Sequence, residues 1–367
     1  MALSTIPFSG LGADASKQGI NFRNLIINGD MSISQRGTSF DATQNYKIDR
    51  FRFAHNSYGF DATLSQSTDV PTGQGFSKSL KFNCTTASSV SAGGYLILQQ
   101  KIEGQMLQQL KKGTSNAESL TWSFWVKSNK TGTYIAELYD ADNSRQISKS
   151  YTINSADTWE KKTITYAGDT TGAFDNDNAQ SLQVNFWLAA GSDFSSGTLN
   201  TSWNSITDTN RVVGSVNLTD STSNYINITG VQLEVGTSAS DFEFLPYDVN
   251  LQRCQRYYHQ IGHGLNGGGT VNAGQGQWYS ASEVVLTVYF PTSMRATPSM
   301  TTPTVSSGYR FHSAGSYVDV SNGGSIDSAS NIMTGIYKSG LSGGSGGQAS
   351  FLNMIASGAS YKFDAEL

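Results

Sequence analysis

The chain has 367 residues, of which only 14% are charged, and a formal net charge of -4. No basic excess is present to meet phosphate groups, so nucleic acid is not an expected partner, and no apolar run approaches the roughly 20 residues of a membrane span, so no membrane insertion is expected. Two cysteines, Cys84 and Cys254, are too few for a secreted disulfide framework and read as free thiols of a chain made in a reducing compartment.

Ser, Thr, Asn, Gln and 38 Gly residues take the place of charge. These residues are poor in helix interiors and good in turns, which predicts an all-β chain. Residues 1–20, MALSTIPFSGLGADASKQGI, are broken by Pro7, Gly10, Gly12 and Gly19 and are too short to fold alone. Ile6, Phe8 and Leu11 offer apolar side chains, so this segment is expected to anchor the chain on a neighbouring subunit or another component of an assembly.

A first domain is expected over residues 21–245. NLIINGDMSISQRGTS supplies two short strands around the Asn28-Gly29 turn signal, and YKIDRFRF alternates Ile48, Phe51 and Phe53 with charges. Short runs follow at intervals: SLKFNC, GGYLILQQKI, LTWSFWVKS, GTYIAELYDA, WEKKTITYA, LQVNFWLAAG and NYINITGVQLEVG. Eight to ten strands without βαβ alternation predict a two-sheet sandwich, a jelly roll by preference. One helix is expected over roughly 103–112, with Met106, Leu107 and Leu110 on one face and Gly113 as its stop.

The stretch 228–261 closes that domain and opens the next. Ile228, Val231, Leu233 and Val235 have the near-alternation of a strand, residues 236–240 are turn chemistry, and Pro246 bars a continuing strand or helix. Asp248 can then cap a short polar helix running through Tyr258, within a linker at 246–261, with Leu251, Cys254 and Tyr258 on one stripe beside Val249. Residues 262–367 begin with GHGLNGGGTVNAGQGQ and continue as VVLTVYF, YRFHSAGSYVDV, NIMTGIYKS, QASFLNMIA and YKFDAEL, which predicts a second, smaller β-sandwich. Its exposed Gly/Ser loops, such as 338–348, suit a receptor-facing surface.

Several of these segments, in this order, resemble bacteriophage tail-fibre and other virion surface proteins: NLIINGDMSISQRGTS, YKIDRF, LTWSFWVKSNKTGTY, FWLAAGSDFSSGT, TGVQLEVGTSASDFEFLPYDVNLQRCQRYY, and again PTSMRATP. The likeness spans roughly residues 21–260, and the domain it resembles is similar in turn to carbohydrate-binding jelly rolls. It implies a structural component of the virion tail, assembled in the host cytoplasm, that attaches to a glycan or protein on the host surface, commonly as a homotrimer. Other tail proteins would be bound through residues 1–20. The runner-up readings are a head decoration or tail adaptor and, further off, a free carbohydrate-binding or polysaccharide-degrading protein. A trimer would also bury apolar residues of the second domain that are expected to exceed its own core, among them Val284, Leu286, Val288, Phe290, Ile332, Ile336, Phe351 and Ile355.

Candidate chemistry is sparse, and no catalytic residue is expected. Gly340-Leu-Ser342-Gly-Gly344 matches a G-x-S-x-G nucleophile elbow in letters, but that motif needs a strand before it and a helix after it, and here it lies in a glycine-serine loop. Asp140/Asp142 and Asp175/Asp177 could be paired carboxylates, yet YDADNSR and FDNDNAQ are turn sequences. His259 and His263 are four apart, with Gly262 and Gly264 ending any helix between them. Carbohydrate-binding jelly rolls often hold a calcium ion with an acidic residue just before the last strand. The matching Thr229-Gly230-Val231-Gln232 has no carboxylate, although Asp30 is near the first strand, so no metal and no cofactor is expected.

Aromatic residues carry the remaining signal. In LTWSFWVK the residues Trp122, Phe124 and Val126 share one face, opposite Ser123, Trp125 and Lys127. In LQVNFWLA the residues Leu182, Val184, Phe186 and Leu188 oppose Gln183, Asn185 and Trp187. Trp125 and Trp187 thus lie among polar neighbours and are the candidate glycan platform, the alternative being that both simply pack.

Overall fold

The computed structural model describes residues 22–56, 59–265 and 269–367; the expected anchor at 1–20 lies outside them. The described chain is all-β and forms two compact units, one running to Asn250 and one spanning Leu251–Glu366. The strands of the first unit are β1 (Ser39–Phe40), β2 (Asn45–Tyr46), β3 (Arg52–Asn56), β4 (Asp61–Ser67), β5 (Ser79–Thr86), β6 (Tyr95–Glu103), β7 (Leu120–Ser128), β8 (Gly132–Asp140), β9 (Arg145–Ile153), β10 (Glu160–Tyr166), β11 (Gln180–Ala190), β12 (Asn204–Ser205) and β13 (Tyr225–Val235). They build a six-stranded sheet in the order β1-β4-β5-β13-β7-β10 and a seven-stranded sheet in the order β12-β9-β8-β11-β6-β3-β2. Every pairing is antiparallel.

The period-2 alternation explains how the two sheets meet. Trp122, Phe124 and Val126 of β7 and Leu182, Val184, Phe186 and Leu188 of β11 all enter one core. The Trp122 and Phe186 rings are 4.5 Å apart and those of Phe124 and Phe186 4.9 Å, edge to face, so the sheets interlock through their aromatic side chains. Each large side chain buried this way contributes about 1.5–3 kcal/mol.

The second unit is a smaller sandwich. Its strands are β14 (Tyr258–Gly262), β15 (Val271–Trp278), β16 (Val284–Tyr289), β17 (Ser299–Thr301), β18 (Tyr309–Ser313), β19 (Ser316–Val320), β20 (Ser325–Ala329), β21 (Met333–Lys338), β22 (Ala349–Met354) and β23 (Ser360–Asp364). A three-stranded sheet, β14-β23-β17, and a seven-stranded sheet, β19-β18-β22-β15-β16-β21-β20, enclose a core in which Tyr309 stacks on Tyr361 at 6.4 Å. Val284, Leu286, Val288, Phe290 and Ile336 are buried in this internal core, so they are not surface awaiting a partner; Ile332 and Phe351 do remain exposed. The elbow-like Gly340–Gly344 stretch joins β21 to β22, strand to strand, with no helix after it. Gly344 lies so close to Trp278 that a Cβ there would fall 2.0 Å from the indole ring, which explains a glycine at that place.

Two expected helices take other forms. Residues 103–112 form the end of β6 and two 3-10 turns, Gly104–Met106 and Gln108–Leu110, and Lys111 adopts φ +50. The spacing of three between Leu107 and Leu110 suits a 3-10 turn, where such residues eclipse, and both are buried. The linker helix spans Tyr247–Gln255, with Asp248 inside its first turn rather than capping it. Tyr258 opens β14 instead of ending the helix, and Cys254 and Tyr258 are buried, so of the expected stripe only Leu251, with Val249 beside it, keeps part of its surface exposed. Both cysteines are free and buried.

A buried charge cluster fixes the turn region of the first unit. The Lys112 ammonium is 2.5 Å from Asp140 and 3.1 Å from Asp169, and it donates to the carbonyls of Thr171 (2.9 Å) and Gly172 (2.7 Å). Burial pushes the Asp169 carboxyl up, but Arg145, the Thr171 N–H and Lys112 outweigh it and hold its pKa below 3.8. Asp140 is therefore an ion-pair member and no surface carboxylate, while Asp142 accepts from the Asp175 N–H at 3.0 Å and Asp177 from the Ala179 N–H at 2.9 Å, as turn residues do. Removing one partner of such a cluster strands the others out of water. Lys112→Met is expected to lower the stability of the first unit by about 3–5 kcal/mol in urea unfolding; a loss of less than about 1 kcal/mol would show the cluster to be no better than a surface pair.

Candidate functional site: a groove on the seven-stranded sheet of the first unit

The side chains that do not enter the core of the first unit line the outer face of its seven-stranded sheet in three rows, set by strand register. One row is apolar: Ala54, Ile97, Trp187 and Ile135, cross-strand neighbours on β3, β6, β11 and β8. The next is polar: Arg52, Gln99, Asn185, Glu137 and Ser148, from β3 through to β9. The third mixes amides with an aromatic: Lys101, Gln183, Tyr139 and Gln146. A one-residue slip would send all of these inward, so the same alternation that fills the core also sets the site.

The segment after β11 folds back over part of this face. Phe194, in the short helix Ser192–Ser195, lies 5.6 Å from the Trp187 ring and 5.6 Å from Tyr95. Val212 packs into a cluster with Ile97, Ile135 and Trp187, and the Ser148 N–H donates to the Asn200 carbonyl at 2.7 Å. Arg211 ties the segment down: its Nε and Nη2 donate to the two Glu137 oxygens at 2.7 and 2.9 Å, and its guanidinium lies over the rings of Trp187 (5.0 Å) and Tyr139 (5.4 Å). Burial works against the charge on Arg211, and Glu137 outweighs it, so the pKa of Arg211 is raised.

What stays open is a groove of roughly 300 Å³ over β3, β6, β11 and β8. Its floor includes Arg52, Gln99, Lys101, Gln183 and Tyr139, and its walls include Tyr95, Phe194, Ile206 and Arg211. Gln99 is only 4% exposed, yet its Oε1 has no hydrogen-bond partner, and the Oδ1 of fully buried Asn185 beside it has none either. A buried amide oxygen without a donor is unfavourable by about 1–3 kcal/mol. Gln99 lines the groove, and a turn of its amide would present that oxygen to a ligand hydroxyl.

The two tryptophans read from sequence do not meet. Trp187 belongs to this seven-stranded sheet, but its ring is 1% exposed and its Nε1–H is spent on Glu137 at 2.9 Å, so it supports the groove wall rather than forming an open platform. Trp125 is on β7 of the other sheet, where it lines a separate hollow of roughly 370 Å³ with Phe76, Phe242 and Phe244. Gly230, at φ +62, lets Phe76 and Trp125 approach; a Cβ there would be 2.6 Å from the Phe76 ring. The platform built from both residues is thus corrected: opposite sheets separate them. Arg52, Tyr95, Gln99, Lys101, Tyr139 and Arg211 were not singled out from sequence. Alternation in YLILQQKIE, which sets Tyr95, Ile97, Gln99 and Lys101 against Leu96, Leu98 and Ile102, was the available signal.

His259 lies in β14, where its ring is parallel to Phe363 at 6.3 Å, and burial lowers its pKa to about 4. It serves the packing of the second unit. Among the described residues, no group of three or more His, Cys, Asp or Glu side chains is placed to hold a metal ion.

No family profile matches the sequence, and no curated protein matches it. Among solved structures, the enzymatically active domain of tailspike protein 4 of bacteriophage CBA120 aligns with 58% of this chain at 17% identity and a TM-score of 0.32. The aligned part covers 22% of that tailspike chain. A family 16 carbohydrate-binding module aligns with 57% of this chain and 99% of its own at 12% identity and a TM-score of 0.27. The family 11 carbohydrate-binding module of Clostridium thermocellum, in complex with a beta-1,3-1,4-mixed-linked tetrasaccharide, aligns with 55% of this chain and 98% of its own, at 10% identity and a TM-score of 0.28.

Glu137 holds the covering segment, so Glu137→Gln is expected to loosen it. Removing the charge opposite Arg211 should speed amide exchange across 192–215 while the central strands stay protected, with a stability loss of about 3 kcal/mol. Unchanged exchange in that segment would show that its apolar contacts suffice without the ion pair.

Proposed function

We propose that this chain is a structural attachment protein of a bacteriophage virion, a tail fibre or receptor-binding protein, that binds host-surface glycans through the groove of its first unit. The observation that carries the glycan reading is the Gln99 carbonyl: a buried acceptor without a partner, beside Asn185 and at the foot of aromatic walls. Sugars present hydroxyl donors and apolar ring faces together, and a site with placed amides next to Tyr95, Tyr139 and Phe194 answers both. The virion setting rests on the tail-fibre resemblance of residues 21–260, and with it the homotrimer and the attachment to other tail proteins. Exposed Tyr279, Tyr289, Tyr317 and Phe351 give the second unit a contact surface of its own, which supports the receptor-facing role read for 262–367.

The reading is one of binding without catalysis. Glycoside hydrolysis calls for two carboxylates flanking the sugar, and none of the residues lining the groove is Asp or Glu. Glu137 lies beneath it, fully buried and occupied by Arg211, Asn185 and Trp187.

Binding of the purified chain to host-surface polysaccharide, followed by calorimetry, tests the reading. Gln99→Leu keeps the volume but removes the acceptor and should weaken binding by about tenfold or more. Tyr139→Ala should do the same by removing a ring from the floor. If both variants bound as tightly as the unaltered chain, the groove would not be the glycan site.

A further inference from the structure

The charge lining the groove has the opposite sign to the chain. The whole sequence carries 24 Lys and Arg against 28 Asp and Glu. The groove is lined by Arg52, Lys101 and Arg211, with no carboxylate among its lining residues. Arg211 is answered from below by Glu137 and, at 3.3 Å, by Asp208. Arg52 has no such answer: it makes no ion pair and no side-chain hydrogen bond with any described residue, although it is partly buried on β3. Its cross-strand neighbour is Gln99, and Lys101 follows two residues along the same face of β6, so the second cation is its diagonal neighbour. Diagonal pairs on one sheet face are about 7–8 Å apart, within reach of one anionic group for two long side chains.

A lone guanidinium in a partly dry groove invites an anion, and its planar fork matches the paired oxygens of a carboxylate, sulfate or phosphate. The Gln99 carbonyl alongside cannot take that anion, since two acceptors repel; it takes a hydroxyl. Anion and hydroxyl on one ring, against an aromatic wall, describe a charged sugar and not a neutral one. We propose that the groove selects an acidic glycan, one bearing a carboxylate, sulfate or phosphate on its sugars, with the anionic group on the Arg52 fork and a hydroxyl on the Gln99 amide oxygen. This rests on the glycan reading above and narrows it. Field focusing by a cationic groove on a net-negative chain also predicts faster capture at low salt.

The test uses the full chain and matched ligands: polygalacturonate against its carboxyl-reduced, neutral counterpart, heparin as the sulfated probe, and a poly(glycerol phosphate) teichoic acid as the phosphorylated one. At least one acidic probe should bind about tenfold or more tightly than the neutral polymer, weaken as salt is raised, and lose that advantage in Arg52→Gln. Arg52→Lys keeps the charge without the fork and should recover part of it. Which acidic probe binds identifies the anionic group. If the neutral polymer bound as well as or better than every acidic one, the acidic preference would fall and the glycan reading would stand. Binding to none of the four would overturn both. Acidic binding that Arg52→Gln leaves unchanged, in a variant whose melting matches that of the unaltered chain, would also overturn the proposal; should that variant not fold, the matched polygalacturonate pair and its salt dependence decide.

Discussion

Glu137 is a carboxylate on the outer face of a β-sheet that never meets water. Its two oxygens accept from Arg211, from Asn185 and from the Trp187 indole, and its side chain is fully buried. A charge in that position is tolerable only with this many donors. The consequence reaches well beyond the pair: Arg211 comes from the segment after β11, so neutralising Glu137 fastens that segment onto the sheet. Where the segment covers the face, Ile97, Ile135 and Trp187 become a second small core. Where it stops, the groove begins. One ion pair therefore marks the border between a packed face and an open one, and it gives the groove a wall that includes Arg211.

The same outer face shows how a fold can be nearly complete while leaving polar groups without partners. Gln99 and Asn185 project carbonyl oxygens that no protein donor reaches, and Gln146 and Ser148 on neighbouring β9 are buried and unpaired as well. Sheets with one solvated face usually carry polar side chains there without penalty. Here the covering segment dries the face, and unpaired amides become unfavourable. Gln99 also lines the groove, so in the proposed function its amide would turn to meet a ligand hydroxyl.

Much of the fold was legible in the sequence because strand alternation is a local property. The inward faces of LTWSFWVK and LQVNFWLA, and the outward placement of Trp125 and Trp187, follow from a period of two. The all-β class followed from the same alternation and from a composition rich in turn residues. Which sheet each strand joins is not local. Trp125 and Trp187 look equivalent along the chain, yet β7 and β11 lie in different sheets, and only one of the two rings borders the groove. The ion pair was hidden for the same reason, since Glu137 and Arg211 are 74 residues apart. The 3-10 turns after β6 are indistinguishable from an α-helix in sequence because apolar spacings of three and four suit both forms over so short a run. The second unit's apolar residues exceed what a domain of its size suggests in sequence, yet they share one buried core with Tyr309, Tyr361 and Trp278.

The central claim is that sugar is held over the row Arg52–Gln99–Asn185 of the seven-stranded sheet. The most direct measurement is a crystal structure of the chain with its glycan bound. The account predicts a sugar ring in the groove with a hydroxyl within hydrogen-bonding distance of Gln99 Oε1, at about 2.7–3.2 Å, and Tyr95 or Tyr139 against its face. Sugar seated instead in the hollow beside Trp125, or on the second unit alone, would contradict it.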